Sequence, residues 1–233
     1  MRLPPTADEL TAVHASIVRC TRCRRLRTYC QRVAREKKRA HAGDTYWARP
    51  VPGFGDPRAR LLILGLAPAA HGANRTGRVF TGDGSGDFLM RALFETGFAN
   101  LSTSRHPEDG LALKDAYIAA AVRCAPPDNK PTLDEIRACQ PHLDAEWRAL
   151  GSVRVIVALG GIAFDAAKGL LTRVGYRVER WPRFAHGVEC LVPGGPRLLA
   201  SYHPSRQNTN TGRLTAGMLG GVFERARACL DPH

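Results

Sequence analysis

The chain has 233 residues, 44% of them apolar and 24% charged, and its 34 basic against 21 acidic residues give a net charge of +13. No apolar run approaches the roughly 18 residues of a membrane helix, and the first ten residues hold no signal core, so neither a membrane partner nor a secretion signal is expected and the chain reads as cytoplasmic. The length suits one domain over 1–233, and the charge favours a polyanionic partner, chiefly nucleic acid.

Residues 7 to 19 suit a helix, with Leu10, Val13, Ile17 and Val18 on one face and Thr6 or Asp8 as its cap. That helix runs into Cys20 and Cys23. From Arg19 to Arg39 there are ten basic residues against one acid, Glu36. This clustering makes an N-terminal segment of about 15–50 a candidate surface for nucleic acid. It is helix-compatible as far as Gly43. The Pro- and Gly-rich stretch Trp47 to Pro57 reads as a loop.

Residues 60–67 then form an apolar run of the kind buried on both faces of a parallel sheet. Pro68 ends it, because proline has no N–H to donate to the ladder. A Gly-rich loop over 68–86 follows, carrying His71, Asn74, Arg75 and Arg78, and a helix over roughly 86–97. Residues 100–114 look like a surface loop. A second strand is expected over 116–122, closed by Pro126 and Pro127. Thr132 to Glu135 is a capping-box pattern opening a helix that carries Ile136, Cys139, Leu143 and Trp147 on one side. Residues 153–160 are the third strand, with a helix over about 162–171 behind it. The stretch 173–196 is undecided. Residues 197–202 form the fourth strand, ending in His203-Pro204-Ser205, and a last helix covers about 212–230. Four such strands separated by helices predict an α/β fold, a parallel sheet with helices on both faces. The loops at 68–86 and 203–211 would then be opposite walls of one cleft at the carboxyl edge.

Two constellations carry chemistry. Cys20 and Cys23 form a C-x2-C, the tightest common ligand spacing, and Cys124 and Cys139 stand fifteen positions apart. Four thiolates suit tetrahedral zinc or an iron–sulfur cluster, and the ligands alone do not separate the two. The Gly-rich loop is neither a P-loop nor a dinucleotide fingerprint, since Gly82 to Gly86 does not directly follow a strand. Its density of His, Asn, Arg and aromatic residues, facing His203, marks it as an active-site floor.

Gly65 to Ala69, followed by His71 to Asp83, resembles the first motif of the family 5 uracil-DNA glycosylases. Val122 to Pro131 resembles their middle motif and Tyr202 to Asn208 their last, and the four cysteines are similar to the [4Fe–4S] ligands shared by families 4 and 5. The resemblance covers residues 20 to about 215. It implies a three-layer α/β/α fold around a central four-stranded parallel sheet, a [4Fe–4S] cluster on Cys20, Cys23, Cys124 and Cys139, and a monomeric enzyme. That enzyme would flip uracil or another deaminated base out of DNA and hydrolyse its N-glycosidic bond, on prokaryotic chromosomal DNA. Phe80 would stack on the base and His203 would hydrogen-bond it as it leaves. Gly65, Leu66, Ala67, Pro68, Ala69, Ala70 and His71 would frame the pocket. Arg75, Arg78, Ser205, Arg206, Gln207 and Asn208 would meet the DNA, the last loop from the minor-groove side.

Two positions depart from the wider pattern. Related enzymes carry an acidic or amide residue in the first motif to orient water, and Leu66-Ala67 supplies neither. Where family 4 has an Asn that reads uracil's amide edge, this chain has Ala120. The loss predicts broad specificity, with hypoxanthine and modified pyrimidines accepted beside uracil. Asn74, or Asp83 as a general base, would then handle the water. Two other classes fit the basic segment and the cysteines: a non-catalytic nucleic-acid-binding protein with a structural metal, and an electron-transfer protein.

Overall fold

In a computed structural model that describes residues 7–231, the four expected strands form the middle of the sheet. They are β2 (Leu61–Gly65), β3 (Ala116–Ala120), β4 (Val155–Leu159) and β6 (Arg197–Ser201), parallel in the order β3-β2-β4-β6. Two short antiparallel strands extend this sheet to six. β1 (Phe54–Gly55) pairs with β3 inside the stretch read as a loop, and β5 (Glu189–Leu191) pairs with β6 inside the undecided stretch. The expected four-stranded parallel sheet is thus the core of a mixed sheet of six. β3 also stops at Ala120, although Ala121 and Val122 still donate to the carbonyls of Gly65 and Leu66 at 2.9 Å.

Alternation along each strand sends successive side chains to opposite faces. Leu61, Ile63, Ile118, Val155 and Val157 face one way, against α4 (Gly84–Glu95) and α8 (Ala216–Leu230). Leu62, Leu64, Tyr117, Ile156 and Ala158 face the other way, against α1 (Ala7–Val18), α5 (Leu133–Leu150) and α6 (Gly161–Arg173). Two layers of helix around a sheet buried on both sides give the three-layer arrangement. α1 begins with Asp8 in its first turn, and the alternative cap Thr6 lies outside the described residues. α5 opens on the expected reciprocal box, in which Glu135 N–H donates to Thr132 Oγ1 at 3.2 Å and Thr132 N–H donates to Glu135 Oε2 at 2.8 Å.

A third cluster lies beyond the end of β3, where α2 (Arg24–Glu36) meets the first turns of α5. It holds Leu26, Cys30, Val122, Cys124 and Cys139, with Cys23, Ala67 and Ala70 packed against it. Beside it runs a buried polar network. Glu146 Oε1 accepts from Gly53 N–H at 2.8 Å, Tyr117 O–H at 2.9 Å and Arg123 Nη1 at 3.1 Å, while Arg123 Nη2 donates to Oε2. One carboxylate therefore ties α5 to β3, to the segment after β3 and to the approach to β1. Both charges are about 1% exposed, so losing either one strands the other in apolar surroundings. Glu146→Ala is expected to lower stability by about 3–5 kcal/mol, read as a shift in the urea midpoint; a loss below about 1 kcal/mol, the range of surface ion pairs, would show that the network is not a fastening.

Candidate active site

A cavity of about 360 Å³ opens at the carboxyl edge of the parallel strands. The end of β2 and the turn after it (Gly65 to Ala69) supply one wall, Ala120 at the end of β3 another, and His203 after β6 a third. Phe80 and Asp83 close it from the Gly-rich loop. Strand ends meeting loops at one edge make this the position in which open α/β sheets bind ligands.

Phe80 is held in an unusual way. Its φ is +49°, a left-handed conformation that a bulky residue adopts only under constraint. Gly65 allows the ring to cross the strand end, since a Cβ there would lie 2.8 Å from Phe80 Cε2. Gly86 allows the backbone to pass, since its Cβ would lie 2.2 Å from the Phe80 carbonyl oxygen. The ring then faces the His203 imidazole at 5.8 Å between centroids, 28° from parallel. Burial lowers His203 to about 4, so its ring is neutral at neutral pH. Asn208 Nδ2 donates to the His203 carbonyl at 2.8 Å and so fixes the backbone from which the imidazole projects.

Asp83 caps α4: its Oδ1 accepts from Gly86 N–H at 2.9 Å. The other oxygen lies against Gly72, where a Cβ would approach Oδ2 to 2.0 Å. Burial raises the carboxyl from its ordinary range, against the backbone N–H groups of Gly86 and Ser85, which lower it. A carboxyl that is capped, poised and exposed to a cavity has the properties of a general base.

Other expected site residues lie elsewhere. Asn74 sits behind the cavity wall, 1% exposed, its Nδ2 donating to the Ala70 carbonyl at 3.2 Å and the Cys30 carbonyl at 3.4 Å. Its Oδ1 is buried without a partner among the described residues. Ala70 packs on the cysteine cluster, and His71 shares a 2.9 Å hydrogen bond with the Tyr46 hydroxyl. Arg75 and Arg78, expected to reach DNA, instead brace the loop. Arg75 donates to Asp44, the His71 carbonyl and the Gly82 carbonyl. Arg78, 6% exposed, donates to Thr81, Ser104, the Pro107 carbonyl and both oxygens of Asp109. The carboxylates that hold them are each 31 positions away in sequence, which is why local charge did not reveal the pairing.

After β6, Ser205 caps the short α7 (Arg206–Asn210), Arg206 is exposed beside Gly84, and Gln207 reaches the cavity wall. Asp128 and Asn129 also line the cavity, and the sequence reading assigned them nothing. Both are left-handed, at φ +54° and +56°, a conformation that Asp and Asn tolerate better than most residues. An Asp-Asn pair between prolines was the available signal.

The four thiols of the expected metal centre come from the α1–α2 turn (Cys20, Cys23), the segment after β3 (Cys124) and the second turn of α5 (Cys139). Burial pushes the Cys23 thiol up to about 12, with Cys139, Cys124 and Cys20 each adding to the rise. Three elements distant in sequence thus bring four soft donors into one neighbourhood, a donor set that fits a thiolate-bound metal. Among the described residues no three side chains already stand at coordination distance of a common point. The chain carries seven cysteines, and the additional Cys30 donates to the Ala125 carbonyl beside this group.

Comparison with known proteins agrees with this geometry. The family described as the uracil DNA glycosylase superfamily matches residues 52–226. The type-5 uracil-DNA glycosylase of Mycobacterium leprae is 50% identical over 222 residues, covering 95% of this chain and 96% of that protein. That of Thermus thermophilus is 52% identical over 212 residues, covering 91% and 94%. A type-4 uracil-DNA glycosylase of Archaeoglobus fulgidus is 29% identical over 166 residues, covering 66% and 70%. With a family match over residues 52–226 and relatives at about half identity along nearly its whole length, the chain belongs to the uracil DNA glycosylase superfamily.

Proposed function

We propose that this protein is a DNA glycosylase that flips uracil, and other deaminated or damaged bases such as hypoxanthine and modified pyrimidines, into the cavity at the carboxyl edge and hydrolyses the N-glycosidic bond. The observation that carries the reading is the placing of an aromatic ring, Phe80, beside a neutral imidazole, His203, on the wall of one cavity at the carboxyl edge. Flipping costs a few kcal/mol of lost stacking, and a ring at the cavity wall returns part of it.

As the bond breaks, the base leaves as an anion and the sugar becomes oxocarbenium-like. A neutral His203 donates a hydrogen bond to the developing oxyanion at the base's carbonyl edge, where preorganised donors act most strongly. Asp83 takes a proton from water as the water oxygen bonds to the anomeric carbon and the C–N bond pair leaves with the base. Of the two residues expected to manage water, Asp83 lines the cavity and Asn74 stands behind it, which favours Asp83 for this step. Ser205, Arg206 and Gln207 meet the strand. The basic helix α2 contributes long-range attraction to it.

Cys20, Cys23, Cys124 and Cys139 would hold a [4Fe–4S] cluster, with zinc as the alternative. A cluster there supplies a cross-link between α2, β3 and α5 rather than a reaction step. The chain then works as one domain whose segment 15–50 is anchored by the metal, acting as a monomer on prokaryotic DNA.

An oligonucleotide duplex bearing one uracil tests the reading. Excision leaves an abasic site that alkali cleaves, and Asp83→Asn is expected to lower the single-turnover rate by about 10²–10⁴-fold with binding retained. Duplex binding by the unchanged protein without any abasic product would favour the binding-module reading instead. Metal content is a separate expectation: purified protein should be brown and hold iron with acid-labile sulfide, and zinc without sulfide would replace the cluster in this account.

A further inference from the structure

A second cavity, of about 270 Å³, adjoins the base pocket and shares Leu66 and His203 with it. Its remaining surface includes Phe184, Tyr202, Ile162 and Arg213. Phe184 comes from the irregular segment between α6 and β5, tilted against Phe164 at 5.8 Å and edge-on to Tyr202 at 6.1 Å. Tyr202 is further fixed by His186, whose ring lies 5.3 Å away. The exposed Arg213 holds its guanidinium 4.6 Å over the Tyr202 ring. Ile162, at the start of α6, leaves 41% of its surface to solvent beside these rings.

Two firmly packed aromatic rings, a solvent-facing aliphatic residue and a cation form a surface that suits a nucleotide better than water. The cavity beside these packed rings leaves room for a flat group, next to the wall that the base pocket uses. We propose that this cavity is a second nucleotide subsite, which takes the base of the deoxynucleotide adjoining the flipped one on the same strand. The inference rests on the glycosylase reading above. Its physical reason is that extruding one nucleotide strips a stacking partner from its neighbour, and an aromatic wall one nucleotide away replaces that partner without regard to sequence. Phe184 provides the stacking face, Ile162 covers the base edge, and Arg213, held over Tyr202, draws the intervening phosphate.

The test is a coupling measurement on the full chain. Affinity is measured by fluorescence anisotropy for oligonucleotides carrying 2′-fluoro-deoxyuridine, which resists excision. One has normal flanks, one an abasic spacer on the 5′ side and one a spacer on the 3′ side. Phe184→Ala is expected to weaken binding about tenfold on the normal strand and to have almost no effect on the strand that lacks the base at the occupied side. Arg213→Ala is expected to weaken all strands and to flatten the salt dependence by about one ion. Ile162→Ala changes a solvent-facing side chain and repeats the cycle if Phe184→Ala does not fold. Equal losses on all three strands, or none on any, would overturn the subsite. Uracil excision by the unchanged protein, assayed alongside, separates the two readings. Excision without coupling overturns the subsite alone, and absence of excision overturns both.

Discussion

The site depends on one backbone constraint, the left-handed Phe80 clamped between two glycines. A φ of +49° in a bulky residue stores strain that the surroundings must hold. Gly65 and Gly86 hold it by lacking side chains, and Arg75 and Arg78 hold the loop around it with ion pairs to Asp44 and Asp109. The same loop ends in Asp83, whose carboxyl is wedged against Gly72 and caps α4. Stacking ring and proposed base are thus fixed by one segment, braced at several points. Arg75 and Arg78 are what makes the loop rigid.

That construction bears on specificity. A ring face attracts any flat base, so the stacking proposed for Phe80 would select for flatness and not for identity. Discrimination must come from polar groups at the base's edge, because a site that hydrogen-bonds an edge rejects the base that leaves it unpaired. At the end of β3 the residue presented to the cavity is Ala120, and the turn after β2 presents Leu66 and Ala67. None of these side chains carries a donor or acceptor. Asp128 and Asn129, from the segment after β3, and Gln207, from α7, add polar side chains to the lining, none of them at the strand ends where Ala120 stands.

Much of this was legible in the sequence because burial on both faces leaves a strong mark. The runs at Leu61, Ala116 and Val155 could only be central strands, and the capping box at Thr132 placed α5 to the residue. The edge strands left no such mark. β1 is two residues inside a Pro- and Gly-rich stretch, and β5 is three residues of which Leu191 is exposed. Arg75 and Arg78 read from sequence as free cations because charge is visible there while its distant partner is not. Asp128 and Asn129 were missed because their contribution depends on two left-handed torsions. The cysteine spacing points to four thiols, and among the described residues no three side chains stand ready around a common metal position.

The central claim is that the pocket accepts a base by stacking and by one neutral imidazole, with little reading of its edge. Single-turnover excision of uracil and of hypoxanthine, each placed in the same duplex and opposite the same partner base, measures this directly. Rates within about tenfold of each other are expected, the range a pocket without matched hydrogen bonds can discriminate. A preference for uracil of about 10⁴-fold, which requires hydrogen-bonded readout of the base edge, would contradict it.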